Sequence, residues 1–185
     1  MALLGAVGCA ADGPDPLVLR EAAYRANNRG IARLEQFDYP AAAAAFRDAL
    51  AIGGPGAGSP ATGEAPADTL PIARLNLALA LFYDQDLEGA GREAAAAAES
   101  LPGALEPPYL LGLIARAENR PDDARQWFAQ VIDLDAGDVG TNINLGQIDL
   151  ETRDYAAAIP RLRLAADAEP FNVTAVYNLG LALAR

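Results

Sequence analysis

Lysine and histidine are absent from this 185-residue sequence and cysteine occurs once, so all 14 basic side chains are arginines. A transition-metal site needs several histidine or cysteine ligands, and a serine–histidine–aspartate triad needs a histidine. These scarcities nearly exclude both kinds of site, and we expect no metal and no cofactor.

Positive charge is scarce as well, because 14 arginines face 25 acidic residues and give a formal net charge of −11. Nucleic-acid binding requires clustered positive charge, so we expect no nucleic-acid partner. Long apolar runs are also missing, since Arg74 and Asn76 interrupt the longest candidate for a membrane span.

Signatures of catalysis are missing too, because neither a phosphate-binding loop nor a nucleophile elbow is present. Asp84 and Asp86 imitate the start of a calcium loop, but Ala95 occupies the position of the closing glutamate. Acidic pairs such as Asp122 and Asp123 lie at predicted helix ends, where carboxylates are ordinary. A carboxylate-based hydrolase is therefore poorly supported, and we expect neither an enzyme nor a small-molecule substrate.

What the sequence does contain is a repeat. Small residues recur every 34 positions, each within an apolar pattern of helical spacing, and a second series recurs at the same interval. The first series is Ala78, Gly112, Gly146 and Gly180, and the second is Ala90, Ala124 and Ala158. Two amphipathic helices joined by a turn, repeated with this period, predict stacked helical hairpins.

This pattern resembles the tetratricopeptide repeat (TPR) family, which the 34-residue period typifies. Residues at the family's small and large positions include Gly30 and Phe46 in the first copy, Gly112 and Phe128 in the third, and Gly146 and Leu162 in the fourth. Ala94 stands where the family has an aromatic residue, so the second repeat should pack differently there. The resemblance implies an all-α, right-handed TPR α-solenoid of four helix–turn–helix repeats plus a fifth first helix.

The resemblance also sets the expected organisation. Residues 1–15 form a tail and residues 16–185 the array, with repeats at about 23–52, 71–100, 105–138 and 139–172 and a partial one at 173–185. A Gly- and Pro-rich loop at residues 53–68 explains why Gly30 and Ala78 are 48 residues apart, one period plus 14. We expect helices to begin at Asp15–Pro16, after Asp86 and at Pro121. The final unpaired helix suggests the N-terminal part of something longer.

The tail partially resembles a bacterial lipoprotein signal, because an apolar stretch leads to Gly8 and Cys9 and then to a polar spacer. It has no positively charged start and its apolar stretch is short. Two interpretations stay open. Either Cys9 carries a lipid and the protein lies in the bacterial envelope or periplasm, or the tail is inert and the protein is cytoplasmic.

In four of the five copies an asparagine lies two residues before the small residue at which the two helices are expected to cross. These asparagines are Asn28, Asn76, Asn144 and Asn178. In the resembled family this position faces the concave groove, and Tyr109 and Tyr177 are expected to line the groove beside the row. An amide can donate and accept hydrogen bonds at once, so the row could hold the backbone of an extended peptide. The alternative is that each amide bonds the neighbouring repeat. Arg125 and Asp167 are expected to point outward.

The sequence therefore predicts a scaffold that binds a protein or an extended peptide in its groove. The alternative is an accessory module of a larger exported protein or enzyme. A carboxylate clamp of the kind found in the family is not expected, because only Arg116 is basic at the matching positions.

Overall fold

The computed structural model describes residues 15–53 and 69–185. Every regular element in these two ranges is a helix, as the periodicity predicts. In chain order they are α1 (Pro16–Glu35), α2 (Tyr39–Gly53), α3 (Thr69–Tyr83), α4 (Leu87–Ser100), α5 (Glu106–Ala117), α6 (Pro121–Leu134), α7 (Val139–Glu151), α8 (Tyr155–Ala168) and α9 (Val173–Leu183).

Most helix starts are fixed by a short polar side chain that accepts a hydrogen bond from the first turn. Asp86 accepts from the backbone N–H of Gly89 at 2.9 Å, so the predicted cap of α4 is confirmed and this carboxylate has a structural role. Asp15 caps α1 in the same way, at 2.9 Å from the N–H of Leu17. The predicted starts of α1 and α6 at Pro16 and Pro121 are confirmed as well.

The turn inside each hairpin uses a residue with positive φ that is not glycine: Phe37, Gln85, Asn119 and Arg153, with φ between 58° and 67°. The following residue donates its backbone N–H to the carbonyl five positions earlier, for example Asp86 to Leu81 at 2.9 Å. This bond satisfies a carbonyl that the helix end would otherwise leave unpaired. The turn therefore repeats in geometry although its residue type does not.

The two helices of a hairpin approach closely where a glycine faces a large side chain 16 residues later. A Cβ placed on Gly112 would stand 2.7 Å from Cδ1 of Phe128, and one on Gly146 would stand 2.6 Å from Cγ of Leu162. A real Cβ essentially never lies so close to another heavy atom, so a side chain at either position would force its neighbour to shift. In the second repeat the corresponding residues are Ala78 and Ala94, both fully buried. In this repeat alanine replaces the smaller glycine, and a second alanine replaces the larger side chain opposite it.

The described residues group into two compact units, which divide between Leu77 and Ala78. In the first, α1 packs on α2, and Ala26, Ala49 and Ala73 form a buried cluster. In the second, each helix from α4 to α9 contacts the next, and Phe128 lies in a cluster with Leu145 and Ile148. Alanine and glycine at these contacts allow the backbones to come close.

Some predictions fall outside the described residues. Cys9 and the tail lie there, as do residues 54–68 of the predicted loop, whereas Gly53 is the buried last residue of α2. Within residues 15–53 and 69–185, no helix combines the length and apolar character needed to cross a membrane.

Candidate functional site

A polar network joins the first helices of the third and fourth repeats, and Arg116 is its centre. Nη1 of Arg116 donates to Oδ1 of Asn144 and to Oε1 of Gln147, both at 2.7 Å, and Nη2 donates to Oε1 of Glu151 at 3.1 Å. The three acceptors are three and four residues apart on α7, so they stack on one side of that helix. Arg116 lies in the last turn of α5, where its guanidinium reaches all three.

Asn144 is also held from its other end. Its Nδ2 donates to the carbonyl of Gly140 at 2.8 Å and to Oη of Tyr109 at 3.3 Å. A Cβ on Gly140 would stand 2.8 Å from that phenol oxygen, so glycine makes room for Tyr109. The Tyr109 ring packs against Phe128 with their centroids 5.9 Å apart. The amide orientation is therefore fixed by groups on both α5 and α7.

Burial and neighbouring charges determine the charge state of each group in the network. Burial raises the pKa of Tyr109 above its usual value, the negative charge of Asp138 raises it further, and the hydrogen bond from Asn144 offsets part of this rise. The phenol is therefore neutral at physiological pH. Arg116 and Glu151 offset each other's charge, so the network presents hydrogen-bonding groups with little net charge.

A cavity of about 300 Å³ adjoins the network at the end of α5. Arg116 and Glu151 line one side, Asn119 and Pro121 line another, and Ile148 contributes an apolar wall. The guanidinium of Arg116 has five N–H groups, and its bonds to α7 account for three of them. Within the described part of the chain, two N–H groups of Arg116 therefore remain for another acceptor.

The predicted asparagines do not share one environment. In the first unit, Asn76 donates from Nδ2 to Oδ1 of the buried Asn27 at 3.1 Å, so it bonds the preceding first helix as Asn144 does. Asn28, in the same unit, is exposed. The bonds of Asn76 and Asn144 match the alternative stated above for these two residues.

Asn178 differs from both. It is only 8% exposed, and its Nδ2 has no hydrogen-bond partner among the described residues. One period after Tyr109 and Arg116 the sequence has Ile143 and Leu150, which have neither a phenol oxygen to accept from an asparagine nor a guanidinium to donate to it. Tyr177, next to it, is 67% exposed, whereas Tyr109 is partly buried.

The structure reveals one polar cluster that the sequence analysis did not identify. Asp149 on α7 is 1% exposed and forms an ion pair with Nη1 of Arg125 on α6. Its other oxygen lies 3.3 Å from Nε of Arg161 on α8, and Nη2 of Arg125 donates to Thr152 at 3.2 Å. The expectation that Arg125 points outward is wrong, because a buried carboxylate needs a charge partner. This cluster connects three consecutive helices.

The sequence comparison identifies the repeat. Residues 143–185 match the model of the family described as tetratricopeptide repeat. These residues are therefore similar to a tetratricopeptide repeat (TPR). No curated protein matches this chain in sequence.

Solved structures with a similar fold extend the comparison to most of the chain. The structure titled "Crystal structure of MamA protein" has a TM-score of 0.69 and 16% identity, over 89% of this chain and 82% of that one. YrrB, described as a TPR protein with an unusual peptide-binding site, has a TM-score of 0.64 and 15% identity, over 89% and 77%. The Cut9–Hcn1 hetero-tetramer of the APC/C has a TM-score of 0.71 and 15% identity, and this chain covers 30% of the matched chain. The predicted all-α TPR fold is confirmed.

Proposed function

We propose that this TPR protein is a scaffold without catalytic activity that binds an extended segment of another protein. The proposed contact surface is the polar network on α5 and α7, centred on Arg116 and Asn144. The observation that carries this proposal is the fixed geometry of the network, in which every side-chain amide is already oriented. Pre-oriented groups lose little conformational entropy on binding, so more of their hydrogen-bond energy becomes affinity.

Hydrogen-bond counting indicates what kind of segment fits. The side-chain oxygens of Asn144 and Gln147 each accept one bond from Arg116, and an amide oxygen has two lone pairs. Each oxygen can therefore accept a backbone N–H, while the two remaining N–H groups of Arg116 can bind backbone carbonyls. An extended peptide presents both groups at every residue.

Charge favours a neutral backbone over an anionic ligand. Glu151 already pairs with Arg116, so a carboxylate or phosphate would have to compete with it. The chain carries a net charge of −11, which also repels anions at long range. Peptide binding has a precedent in the same fold, since the YrrB structure is described as having a peptide-binding site.

The test uses a library of random unstructured peptides displayed on phage, from which peptides that bind the full chain are selected. Replacing Asn144 and Gln147 together by Ala should weaken a selected peptide by about 1–3 kcal/mol, because its backbone N–H groups lose the two acceptor oxygens. Calorimetry gives the affinities. Gln126→Ala, on the exposed side of α6, is the matched control and should leave the affinity unchanged.

Circular dichroism separates a loss of contact from a loss of structure. If the double variant keeps its helicity and binds the selected peptides normally, the network is not the contact surface. If the variant unfolds, Asn144 and Gln147 serve the stacking of the helices, and the binding role assigned to them is wrong. Asn28, Asn76, Asn178, Tyr109 and Tyr177 remain further predicted contacts.

The envelope location is proposed from the sequence around Cys9 alone. With its natural upstream residues in a bacterial host, the protein should become lipid-modified and fractionate with membranes, while Cys9→Ser should not. Identical cytosolic fractionation of both forms would refute the anchor.

A further inference from the structure

The cavity at the end of α5 has a cation and an anion side by side in its wall. Nη2 of Arg116 donates to Oε1 of Glu151 at 3.1 Å, and both side chains line the cavity. The Arg116 side chain is 25% exposed and that of Glu151 is 61% exposed, so a ligand can reach both from solvent. Nη2 carries a second N–H, and Glu151 has a second carboxylate oxygen. A ligand in this cavity therefore meets a hydrogen-bond donor and an acceptor next to each other.

The two opposite charges restrict which side chains can enter the cavity. A carboxylate would bind Arg116 but would then lie beside the carboxylate of Glu151. An ammonium or guanidinium group would bind Glu151 but would then lie beside Arg116. Like charges repel each other at such short range, and a charged ligand would also have to lose water. A neutral carboxamide avoids both costs, because its oxygen accepts from Arg116 while its NH₂ group donates to Glu151.

The position of the cavity favours glutamine over asparagine. Glu151 lies four residues after Gln147 on α7, which is about 6 Å along the helix. A peptide whose backbone is held at Gln147 must extend a side chain over that distance, and glutamine has one methylene more than asparagine. Pro121 and Ile148 supply apolar walls for these methylenes. The cavity volume of about 300 Å³, roughly that of ten water molecules in the liquid, leaves room for the side chain.

The arginine of this cavity is not repeated at the equivalent positions of the neighbouring copies. The position of Arg116 is Phe82 one period earlier and Leu150 one period later, and neither side chain can donate a hydrogen bond. The position of Glu151 is Ala117 one period earlier. A segment bound along the first helices α3, α5 and α7 would therefore meet such a cavity once.

We propose that the cavity lined by Arg116, Asn119, Pro121, Ile148 and Glu151 is a specificity pocket that binds one glutamine side chain of the bound segment. This inference rests on the proposed function, since the adjoining network holds the backbone of that segment. The glutamine oxygen accepts the second N–H of Nη2 of Arg116, and the glutamine NH₂ group donates to Oε2 of Glu151. The Nε N–H of Arg116 then remains for a backbone carbonyl.

The peptides selected by phage display on the full chain provide the first test. We expect them to share one glutamine at a fixed position. Synthetic peptides with glutamate or methionine at this position, which are similar in length, should bind at least about tenfold more weakly by calorimetry. Both lose the hydrogen bond to Glu151, and glutamate is also repelled by it. Selected peptides without a shared glutamine, or peptides that tolerate both replacements, would overturn the pocket and leave the peptide-binding function standing.

A variant of the protein tests the charge argument. The quantity measured is the ratio of the dissociation constants of the glutamate peptide and the glutamine peptide. Glu151→Gln removes the carboxylate that repels glutamate, so this ratio should fall at least about tenfold. Asp133→Asn makes the same change in net charge on an exposed part of α6, about 18 Å along the helix from Pro121, and should leave the ratio unchanged.

Two results would overturn the inference in different ways. Equal effects of Glu151→Gln and Asp133→Asn would show that only the net charge matters, and the pocket alone would be wrong. Failure to select any binding peptide, or normal binding after Asn144 and Gln147 are replaced by Ala, would overturn the proposed function and the pocket with it.

Discussion

The pairing of Gly112 with Phe128 can be tested by exchanging it for the pair that the second repeat contains. The three variants are Gly112→Ala, Phe128→Ala and the double variant, which reproduces the combination of Ala78 with Ala94. Because the glycine and the aromatic ring share one small space, the two changes should not be additive.

The magnitudes follow from the geometry. Phe128 is fully buried, so Phe128→Ala should lower the free energy of unfolding by about 3–5 kcal/mol. Gly112→Ala alone should cost about 1–3 kcal/mol, because the new methyl group would lie 2.7 Å from Cδ1 of the ring. With the ring removed, the same change should stabilise by about 1 kcal/mol through the better helix propensity of alanine. The coupling between the sites is therefore about 2–4 kcal/mol.

Urea unfolding followed by circular dichroism gives the four free energies. Gly180→Ala is the matched control, because Gly180 is exposed and no atom crowds its Cβ position, so it should stabilise by up to about 1 kcal/mol. Additive losses at Gly112 and Phe128, or a Gly112→Ala variant as stable as Gly180→Ala, would refute the packing argument.

Three further predictions concern single groups. Gln85→Gly should raise the free energy of unfolding by about 1 kcal/mol in urea titrations, because Gln85 has a positive φ that glycine adopts without strain, and Asn119→Gly should gain less. Arg125→Ala should cost about 2–3 kcal/mol by the same assay, since it leaves the carboxylate of Asp149 buried with one arginine, whereas Asp149→Leu should cost less. As the pH rises above 10, the wild type should lose stability faster than Tyr109→Phe. The reason is that the pKa of Tyr109 is raised in the folded state, so the unfolded chain releases this proton first. Equal profiles of stability against pH for the two proteins would contradict this.

The helices could be predicted because the 34-residue period and the polar caps are local signals. Asp15 and Asp86 accept the bonds that their positions before helical segments require, and Pro121 begins α6 as expected. The positive φ of Gln85 and Arg153 could not be predicted, because neither residue type favours that conformation. The turn geometry is imposed by the two helices that it joins.

The environment of each polar residue depends on side chains of other helices, and this limited the prediction of the site. Asn144 and Asn178 occupy equivalent positions, yet the first has Tyr109 and Arg116 as partners, whereas Nδ2 of the second has no hydrogen-bond partner among the described residues. Arg125 was expected on the outer surface because nothing near it in sequence indicates the buried carboxylate of Asp149. Equivalent positions in a repeat predict where on its helix a side chain is attached. They do not predict which side chains of other helices contact it.

The carboxylate of Asp149 has a consequence for how the second unit unfolds. Arg125 belongs to the third repeat and Arg161 to the fourth, and both contact this one side chain on α7. In a linear array, neighbouring repeats normally open in steps set by their separate interface energies. Opening the fourth repeat here would expose a charge on which the third also depends, so amide hydrogens of α6, α7 and α8 should exchange with solvent as one cooperative unit.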